Sequence, residues 1–480
     1  MELDPLILSR IQFAFVVSFH AIFPVFTIGL ASYIAVLEGL AFKTENPVWV
    51  KLSAFWTKVF AVVFGMGVVS GIVMSFQFGT NWSNFAQASA NFLGPMLSYE
   101  VVTAFFLEAA FLGVLLFGRD KVPAGIHLLA AIMVATGTFI SSFWILSANS
   151  WMHTPAGTEL REGVFYVTSW SEAIFNPSFP YRFSHMVLAS FLTGGFVVAG
   201  VSAWYLLLGR EVEANKKALS MCLWLLLFIA PTQAVVGDFH GLNTLEHQPV
   251  KVSAMEGNWE TSRNVPLLLF AIPDQQNQQN LFEIGIPSLA SFILTHEWDG
   301  EVPGLNEIAV DEQPPVAIVF WSFRVMVGIG LLMIAFAVTG LILRAGGRYW
   351  RTTWFLQGMR FMSVAPFIAV LAGWFVTEIG RAPWLVYGQM TQAQALTPSL
   401  TGGMALFTLI GYIVVYALVF SAGVYYLMRV LYVGLEDQDE DEHESDRPKR
   451  PFSAAHVPFE IDHNSDDTVG TAKPTRQGGH

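Results

Sequence analysis

Residues 371–384 read LAGWFVTEIGRAPW, an apolar segment that ends on a carboxylate, Glu378. Gly380, Arg381 and Pro383 follow directly, and this glycine–proline punctuation predicts that a helix stops here. A glutamate at the mouth of an apolar membrane span is costly unless a partner binds or neutralises it. Two interpretations are open at this point. Glu378 either forms a salt bridge with Arg381 at the lipid headgroups, or it is a ligand of a metal centre.

The composition of the whole chain indicates which class of protein contains this segment. The chain has 480 residues, of which 54% are hydrophobic and 13% charged, and its mean hydropathy is +0.51. These values predict a polytopic membrane protein, with no feature that predicts a nucleic-acid partner. Glu2 and Asp4 stand where a signal peptide would carry positive charge. The single cysteine, Cys222, lies in an apolar run, which excludes a disulfide framework and a thiolate metal site.

Nine apolar runs are long enough to span a bilayer, which predicts an all-α membrane bundle. They lie near residues 12–39, 55–79, 97–117, 126–148, 184–208, 219–237, 317–343, 355–377 and 402–432. The chain is accordingly divided into membrane helices one to six (1–237), a long polar loop (238–316), helices seven to nine (317–433) and an acidic tail (434–480). The tail composition predicts disorder.

Charge in the loops predicts the orientation of the bundle. The loops after spans one, three, five and seven carry ten cations, namely Lys43, Lys51, Arg119, Lys121, Arg210, Lys216, Lys217, Arg344, Arg348 and Arg351. The opposite loops are far longer and carry only Arg161, Arg182, Lys251, Arg263 and Arg381. The positive-inside rule therefore places the N-terminus outside and the C-terminus in the cytoplasm.

Five residues whose side chains can bind a metal or a proton fall in one layer on the predicted outer side: His20, Glu100, His185, Met326 and Glu378. Taken singly, a methionine in a membrane helix is usually packing, and a histidine at a helix start usually caps a carbonyl. Their shared depth is not explained in that way. Histidine with methionine is a low-spin haem ligand pair, and histidine or carboxylate with an open position suits a high-spin, O2-reactive haem.

Two further features concern protons. Glu108 lies eight residues after Glu100, which predicts one helix face and a separation of about 12 Å. A proton relay from the cytoplasm is one interpretation, with Ser141 and Ser142 as hydroxyl partners; the alternative is a protonated glutamate bonded between helices. His127, at the start of span four, is interpreted as interfacial.

The polar loop and span seven add candidate polar contacts. Lys251 and Glu256 stand five residues apart in VKVSAMEGNWE, with Trp259 beside them. A cation, a carboxylate and an aromatic ring could bind a quinol head, although an ordinary amphipathic helix has the same pattern. Arg324, two residues before Met326, could face a haem propionate or snorkel to the membrane surface.

Together these segments resemble subunit I of the cytochrome bd-type quinol oxidases over residues 1–433. The resemblance is carried by SRIQFAFVVSFH (9–20), Glu100 with Glu108, NSWM (149–152), the His185 helix start, QPVKVSAMEGNWE (248–260), FWSFRVMVG (320–328) and GWFVTEIGRAPW (373–384).

The resemblance implies specific cofactors. A low-spin haem b is expected on His185 and Met326. A high-spin haem b and a haem d, or a second high-spin haem b, are expected on His20, Glu378 and Glu100, without an assignment of haem to site. The haem environment is expected to include Arg324, Arg381 and Trp384.

The resemblance also implies the reaction and the partners. Quinol is expected to be oxidised at Lys251 and Glu256, and O2 to be reduced to water with protons taken from the cytoplasm. Charge separation then needs no pump. The family works in the bacterial inner membrane with a second membrane subunit, often with a very small third one.

The sequence departs from the family pattern at three places, and three other classes of membrane protein are alternatives. Ala382 replaces the family's usual glutamine in GRQPW, WMQNP reads WMHTP with His153 and Thr154, and the loop resembles the shorter class that includes cyanide-insensitive oxidases. A haem–copper oxidase would need more membrane histidines, and a bc-type cytochrome b would need paired histidines on two helices. A proton-coupled transporter could explain Glu100 and Glu108, but the chain has no repeated halves.

Overall fold

The computed structural model describes residues 3–435, and nine helices in this range are long and apolar enough to cross a membrane. We number these membrane helices 1–9 in chain order. Their bounds are Pro5–Thr44, Pro47–Thr80, Ala90–Phe117, Ala124–His153, Phe179–Leu207, Val212–His247, Val316–Ala345, Thr353–Ile379 and Gly402–Val433. All nine predicted spans and the all-α class are therefore confirmed.

Short-range chemistry sets the ends of the first two helices. The Asp4 carboxylate accepts hydrogen bonds from the backbone N–H groups of Leu6 and Ile7, so it caps helix 1, and Pro5 occupies the first helical position. Glu45 and Asn46 alone separate helix 1 from helix 2, and the Asn46 side chain caps helix 2. The first two helices consequently form a tight antiparallel pair.

Two membrane helices are interrupted. Helix 3 contains a π-helical turn at Val101–Phe105, between Ala90–Glu100 and Phe106–Phe117. Such turns are frequent at functional sites, and this one directly follows Glu100. Helix 8 consists of Thr353–Met362 and Ala365–Ile379, broken two residues before Pro366.

The shorter elements lie in the loops that follow membrane helices 2, 4, 6 and 8, which places them on one face of the bundle. The strands form antiparallel pairs: Thr158–Arg161 with Val164–Val167, Ser262–Arg263 with Glu301–Val302, Leu267–Asp274 with Gln279–Ile286, and Trp384–Val386 with Met390–Thr391. The short helices are Ser83–Ala88, Trp170–Ile174, Pro249–Glu256, Leu289–Thr295 and Gln392–Ala395, with 3-10 turns at Leu305–Glu307 and Val310–Glu312.

The predicted boundary between helix 6 and the polar loop, at residue 238, is wrong. Helix 6 continues to His247, and a second helix, Pro249–Glu256, begins almost at once. Polar residues after Gly237 end the apolar run, but no proline follows until Pro249, so the backbone stays helical beyond the apolar segment. Residues 3–435 belong to one compact unit rather than to separate domains. The predicted acidic tail lies outside the described residues from position 436 onward.

Helices 1 and 5 form the centre of the bundle and contact each other through small residues. A Cβ added at Gly194 would lie 3.0 Å from Cα of Gly29, so the two backbones approach closely only because both positions are glycine. A buried ionic cluster joins the C-terminal end of helix 1 to the N-terminal end of helix 4. Glu38 lies 2.6 Å from Arg119 and 3.0 Å from His127 Nδ1. The His127 side chain is therefore buried within the bundle, in the first turn of helix 4.

Candidate functional site

Glu378, the residue that ends helix 8, is surrounded by hydrogen-bond donors. Its Oε2 lies 2.6 Å from Nη2 of Arg381, and its Oε1 accepts hydrogen bonds from Asn149 at 3.0 Å and His153 Nε2 at 3.2 Å. The Arg182 guanidinium lies 3.9 Å from the same Oε1. The salt bridge expected between Glu378 and Arg381 is present, and it is one contact of a larger positive pocket.

His153 connects this pocket to the polar loop. The Lys251 ammonium donates a hydrogen bond to Nδ1 of His153 at 3.1 Å, and Gln248 donates to the His153 carbonyl at 2.8 Å. Because Nδ1 accepts from Lys251, Nε2 carries the imidazole proton and donates it towards Glu378. A continuous path, Lys251–His153–Glu378, therefore runs from the helix after membrane helix 6 to the end of helix 8.

Burial dominates the electrostatics of Lys251. Its side chain is 4% exposed, and desolvation holds its pKa well below the usual range, with Arg182 and Arg381 lowering it further. Burial likewise lowers the pKa of Arg381, while Glu378 opposes that shift. These cations stay close together only because Glu378 and polar neighbours compensate them.

Glu256 lies in a second pocket. Its Oε2 is 3.0 Å from Nη2 of Arg324, whose other nitrogens donate to the carbonyls of Leu268, at 2.9 Å, and Met255. Burial raises the pKa of Glu256, and the Arg324 charge opposes that rise. Arg324 therefore holds together the loop helix, a loop strand and membrane helix 7. Its predicted role as a propionate contact or a snorkelling cation stays a prediction.

Lys251 and Glu256 do not contact one another. A spacing of five residues rotates two side chains by about 140° on an α-helix, so they face different directions. Trp259 also differs from the expectation of a free stacking surface. Its ring is 6% exposed, and its indole N–H donates to Asn280 at 2.9 Å.

Each predicted imidazole or thioether ligand faces a glycine of another membrane helix. A Cβ at Gly71 would lie 3.1 Å from His20 Cε1, one at Gly237 would lie 3.2 Å from His185 Cε1, and one at Gly373 would lie 3.0 Å from Met326 Sδ. Those distances are shorter than ordinary carbon contacts. Glycine at these three positions therefore lets the side chains lie against the neighbouring backbone.

Several buried donors in this region have no hydrogen-bond partner among residues 3–435. They are Nδ1 of His185, Nε1 of Trp374, Nε of Arg182, and Nε and Nη1 of Arg381. Buried polar atoms are almost always paired. Unpaired arginine nitrogens beside Glu378 fit an anionic group such as a haem propionate, and the imidazole and thioether candidates fit haem iron. The residues present are thus compatible with bound haem.

The two predicted proton-carrying residues both contact membrane helix 4. Ser141 donates to Oε1 of Glu100 at 2.7 Å. Glu108, which is 6% exposed, packs against Gly137, which lies one helical turn before Ser141 on helix 4. Ser142 instead donates to the carbonyl of Phe139 and contacts neither glutamate. Both carboxylates therefore face the same helix, on either side of the π-helical turn.

The structure joins some predicted site residues and not others. Glu378, Arg381 and Lys251 share one polar network, and the Trp384 N–H donates to the Arg381 carbonyl at 3.0 Å. His20 bonds to Ser70 at 2.9 Å and, among the described residues, not to Glu100 or Glu378. His185 contacts Gln233 and His240 on helix 6, whereas Met326 contacts helix 8.

Sequence reasoning missed three members of the Glu378 pocket. In the sequence, Asn149 is part of the NSWM motif, His153 is a departure from the family pattern, and Arg182 is a loop cation; none of these features indicates a contact with Glu378. Arg182 lies in the first turn of membrane helix 5, three residues before His185, and this spacing is a signal that the two side chains enter the same region.

Comparison with known proteins agrees with this geometry. Residues 8–435 match the family described as cytochrome bd terminal oxidase subunit I. The chain is 35% identical to cytochrome bd ubiquinol oxidase subunit 1 of Bacillus subtilis, over 94% of this chain and 98% of that protein. It is 32% identical to cytochrome bd-II ubiquinol oxidase subunit 1 of Escherichia coli, over 90% and 97% respectively.

A solved structure shares the fold. The bd oxidase from Geobacillus thermodenitrificans superposes with a TM-score of 0.83 at 30% identity, covering 90% of this chain and 99% of that one. These matches support the oxidase and not the transporter alternative. The family implies bound haem, a quinol substrate, O2 and a second subunit. The chain therefore belongs to the cytochrome bd terminal oxidase subunit I family, and it is a membrane subunit of a quinol:O2 oxidoreductase.

Proposed function

We propose that this subunit oxidises quinol at the loop-bearing outer face and supports O2 reduction to water with protons drawn from the cytoplasm. Haems, when bound, supply the redox centres between quinol and O2. The proton motive force then arises from the separation of the two proton sites, without a pump. The observation that carries the proposal is the pair of buried ionisable residues, Lys251 and Glu256, on one loop helix.

Glu256 is the proposed proton acceptor for the quinol hydroxyl. Its raised pKa brings the carboxyl nearer to the pH range in which a general base works. Arg324 keeps the carboxylate oriented and partly compensates its charge. Lys251 is the proposed hydrogen-bond donor to a quinol oxygen, and its contact with His153 fixes the position of its ammonium group.

The proposed haem-binding residues follow the predicted sets. His185 and Met326 would hold the low-spin haem b, and His20, Glu378 and Glu100 would hold the two high-spin sites. The unpaired nitrogens of Arg381 support a propionate contact beside Glu378. The third haem is proposed as haem d or a further haem b.

Glu108 and Glu100 are the proposed proton carriers. Ser141 holds Glu100 through its hydroxyl, and Gly137 gives Glu108 room against helix 4. Both carboxylates lie on one membrane segment that runs between the two faces of the bundle. Protons would enter at the cation-rich face, reach Glu108 first and then Glu100.

The orientation and assembly are proposed from charge and from the family. The ten cations after spans one, three, five and seven favour a cytoplasmic location for that face. The N-terminus is then outside, and the chain spans the bacterial inner membrane. A very small third subunit is proposed in addition to the second subunit.

The proposal is tested by Glu256→Gln in the purified complex. Loss of a general base lowers rates by about 100-fold or more, so quinol oxidase activity should fall by that factor while the haem spectrum is unchanged. Glu260→Gln is the matched control because Glu260 is exposed in the same segment. Full activity of Glu256→Gln would show that this carboxyl is structural and would contradict the quinol assignment.

A further inference from the structure

The loop after helix 6 contains a β-hairpin with an exposed apolar surface. We call Leu267–Asp274 with Gln279–Ile286 the loop hairpin. Seven large apolar side chains on it are exposed: Leu269, Phe270, Ile272, Leu281, Phe282, Ile284 and Ile286. Phe282 is 78% exposed. So many exposed apolar side chains on one hairpin are unfavourable in water and indicate that something else covers them.

The loop hairpin runs along the first turns of membrane helix 7. At its polar tip, Gln275 donates to the Pro314 carbonyl at 3.1 Å and accepts from the Val316 N–H at 3.2 Å. At its open end, the Leu268 carbonyl accepts from Arg324 at 2.9 Å. Val316 and Arg324 are eight residues apart, which is about 12 Å along a helix. The strands therefore extend about that far alongside a membrane helix.

The exposed surface is continuous with the outward side of membrane helix 7. Phe270 packs edge-on against Trp321, with ring centroids 5.1 Å apart, midway along the hairpin. Ile318, Trp321 and Val325 are exposed on the same helix. Exposed apolar residues of a spanning helix face lipid, and tryptophan is enriched at the membrane–water boundary. The environment that covers the hairpin is therefore adjacent to the lipid that covers helix 7.

We propose that the loop hairpin lies in the interfacial layer of the bilayer and that its apolar side chains contact lipid. It does not enter the hydrocarbon core, because a two-stranded sheet has open edges whose backbone groups need water or headgroups. The polar tip supports this depth. Asp274 accepts from the N–H groups of Gln276 and Asn277, so the tip is a closed turn that faces the aqueous side of helix 7.

The lipid contact has a consequence for the loop helix. Arg324 binds the hairpin through Leu268 and the loop helix through Met255 and Glu256. A hairpin anchored in the interface would therefore hold Glu256 at the depth of the lipid headgroups and glycerol groups. The inference does not depend on Glu256 being the quinol base, because it concerns only the surface that the hairpin presents.

Labelling of an introduced cysteine tests the proposal in the intact complex. Phe282→Cys and, as the control, Asn277→Cys at the polar tip are each labelled with an environment-sensitive fluorophore and reconstituted in lipid nanodiscs. Native Cys222 is 1% exposed, which limits background labelling. Lipids brominated near the glycerol end of the acyl chain should quench the label at 282 and not at 277, whereas aqueous iodide should quench the label at 277.

Each other outcome contradicts the proposal. Iodide quenching at both positions would show that the loop hairpin stands in water. Protection of position 282 from both quenchers would show that protein, such as the second subunit, covers it. An unchanged haem spectrum of both labelled complexes serves as the folding check, so a misfolded variant is recognised before quenching is measured. A blue-shifted emission of the label at 282 should accompany the lipid quenching.

Discussion

Gly373→Ala is expected to disturb the proposed low-spin haem site through Met326, its proposed ligand. The added Cβ would lie 3.0 Å from the Met326 sulfur and 4.0 Å from its Cγ. The optimum separation of such atoms is about 3.5–4.0 Å, so the sulfur would have to move by about 0.5–1 Å. Gly373 lies inside helix 8, where the backbone itself accepts alanine.

Two opposing contributions set the stability change. Overpacking a tight site costs about 1–3 kcal/mol. Replacing a helical glycine by alanine gains about 0.5–1 kcal/mol by reducing the freedom of the unfolded chain. The expected net loss is therefore small, about 0–2.5 kcal/mol, and the protein should still assemble. The spectroscopic effect should be larger than the stability effect, because it reports directly on the position of the sulfur.

The assay is the reduced-minus-oxidised absorbance of the low-spin band, together with its redox titration. Gly328→Ala is the matched control: it lies two residues from Met326 on helix 7 and has no atom within 4 Å of the added Cβ. The band should shift or weaken in Gly373→Ala and stay unchanged in Gly328→Ala. A band identical to wild type in an assembled Gly373→Ala complex would refute the placement of Met326 as a ligand.

Three further predictions concern the polar network and the proton path. His153→Leu should raise the quinol KM because Lys251 loses its hydrogen-bond acceptor. His153→Gln should largely keep the wild-type KM because the amide can accept from Lys251 and donate to Glu378. Equal effects of both variants on the KM would show that the bridge between Lys251 and Glu378 is unimportant. Glu108→Gln should slow O2 reduction more than haem reduction by quinol, and equal slowing of both would count against a proton relay. The quinol oxidation rate should fall on acidification at a pH above the ordinary glutamate value of 4.5, because the raised pKa of Glu256 means that it is protonated there; a rate that stays constant through that range would exclude Glu256 as the base.

Much of the fold could be predicted because membrane helices have a simple physical signature. A run of about 20 apolar residues is detectable without knowledge of its neighbours, and all nine runs form helices. The end of helix 6 could not be located in that way. Hydropathy detects where the apolar segment ends near Gly237, but the hydrogen-bonded backbone continues to His247.

The candidate site was only partly predictable because its contacts join distant segments. The Arg381–Glu378 pair is three residues apart and was visible in the sequence. His153 and Arg182 reach Glu378 from two other helices, and no local pattern reports such contacts. The π-helical turn after Glu100 and the packing of the loop hairpin along membrane helix 7 also arise from tertiary contacts, so they become visible only in three dimensions.

The central claim is most directly tested by the dithionite-reduced minus oxidised spectrum of the purified complex, with pyridine haemochrome analysis, for wild type and Met326→Leu. Wild type should show haem b bands, and the low-spin band should be lost in Met326→Leu while the remaining bands persist. A red-shifted chlorin band would identify the third haem as haem d, and its absence would identify a further haem b. A complex without any haem would contradict the oxidase assignment and leave Glu378 as a salt-bridge residue.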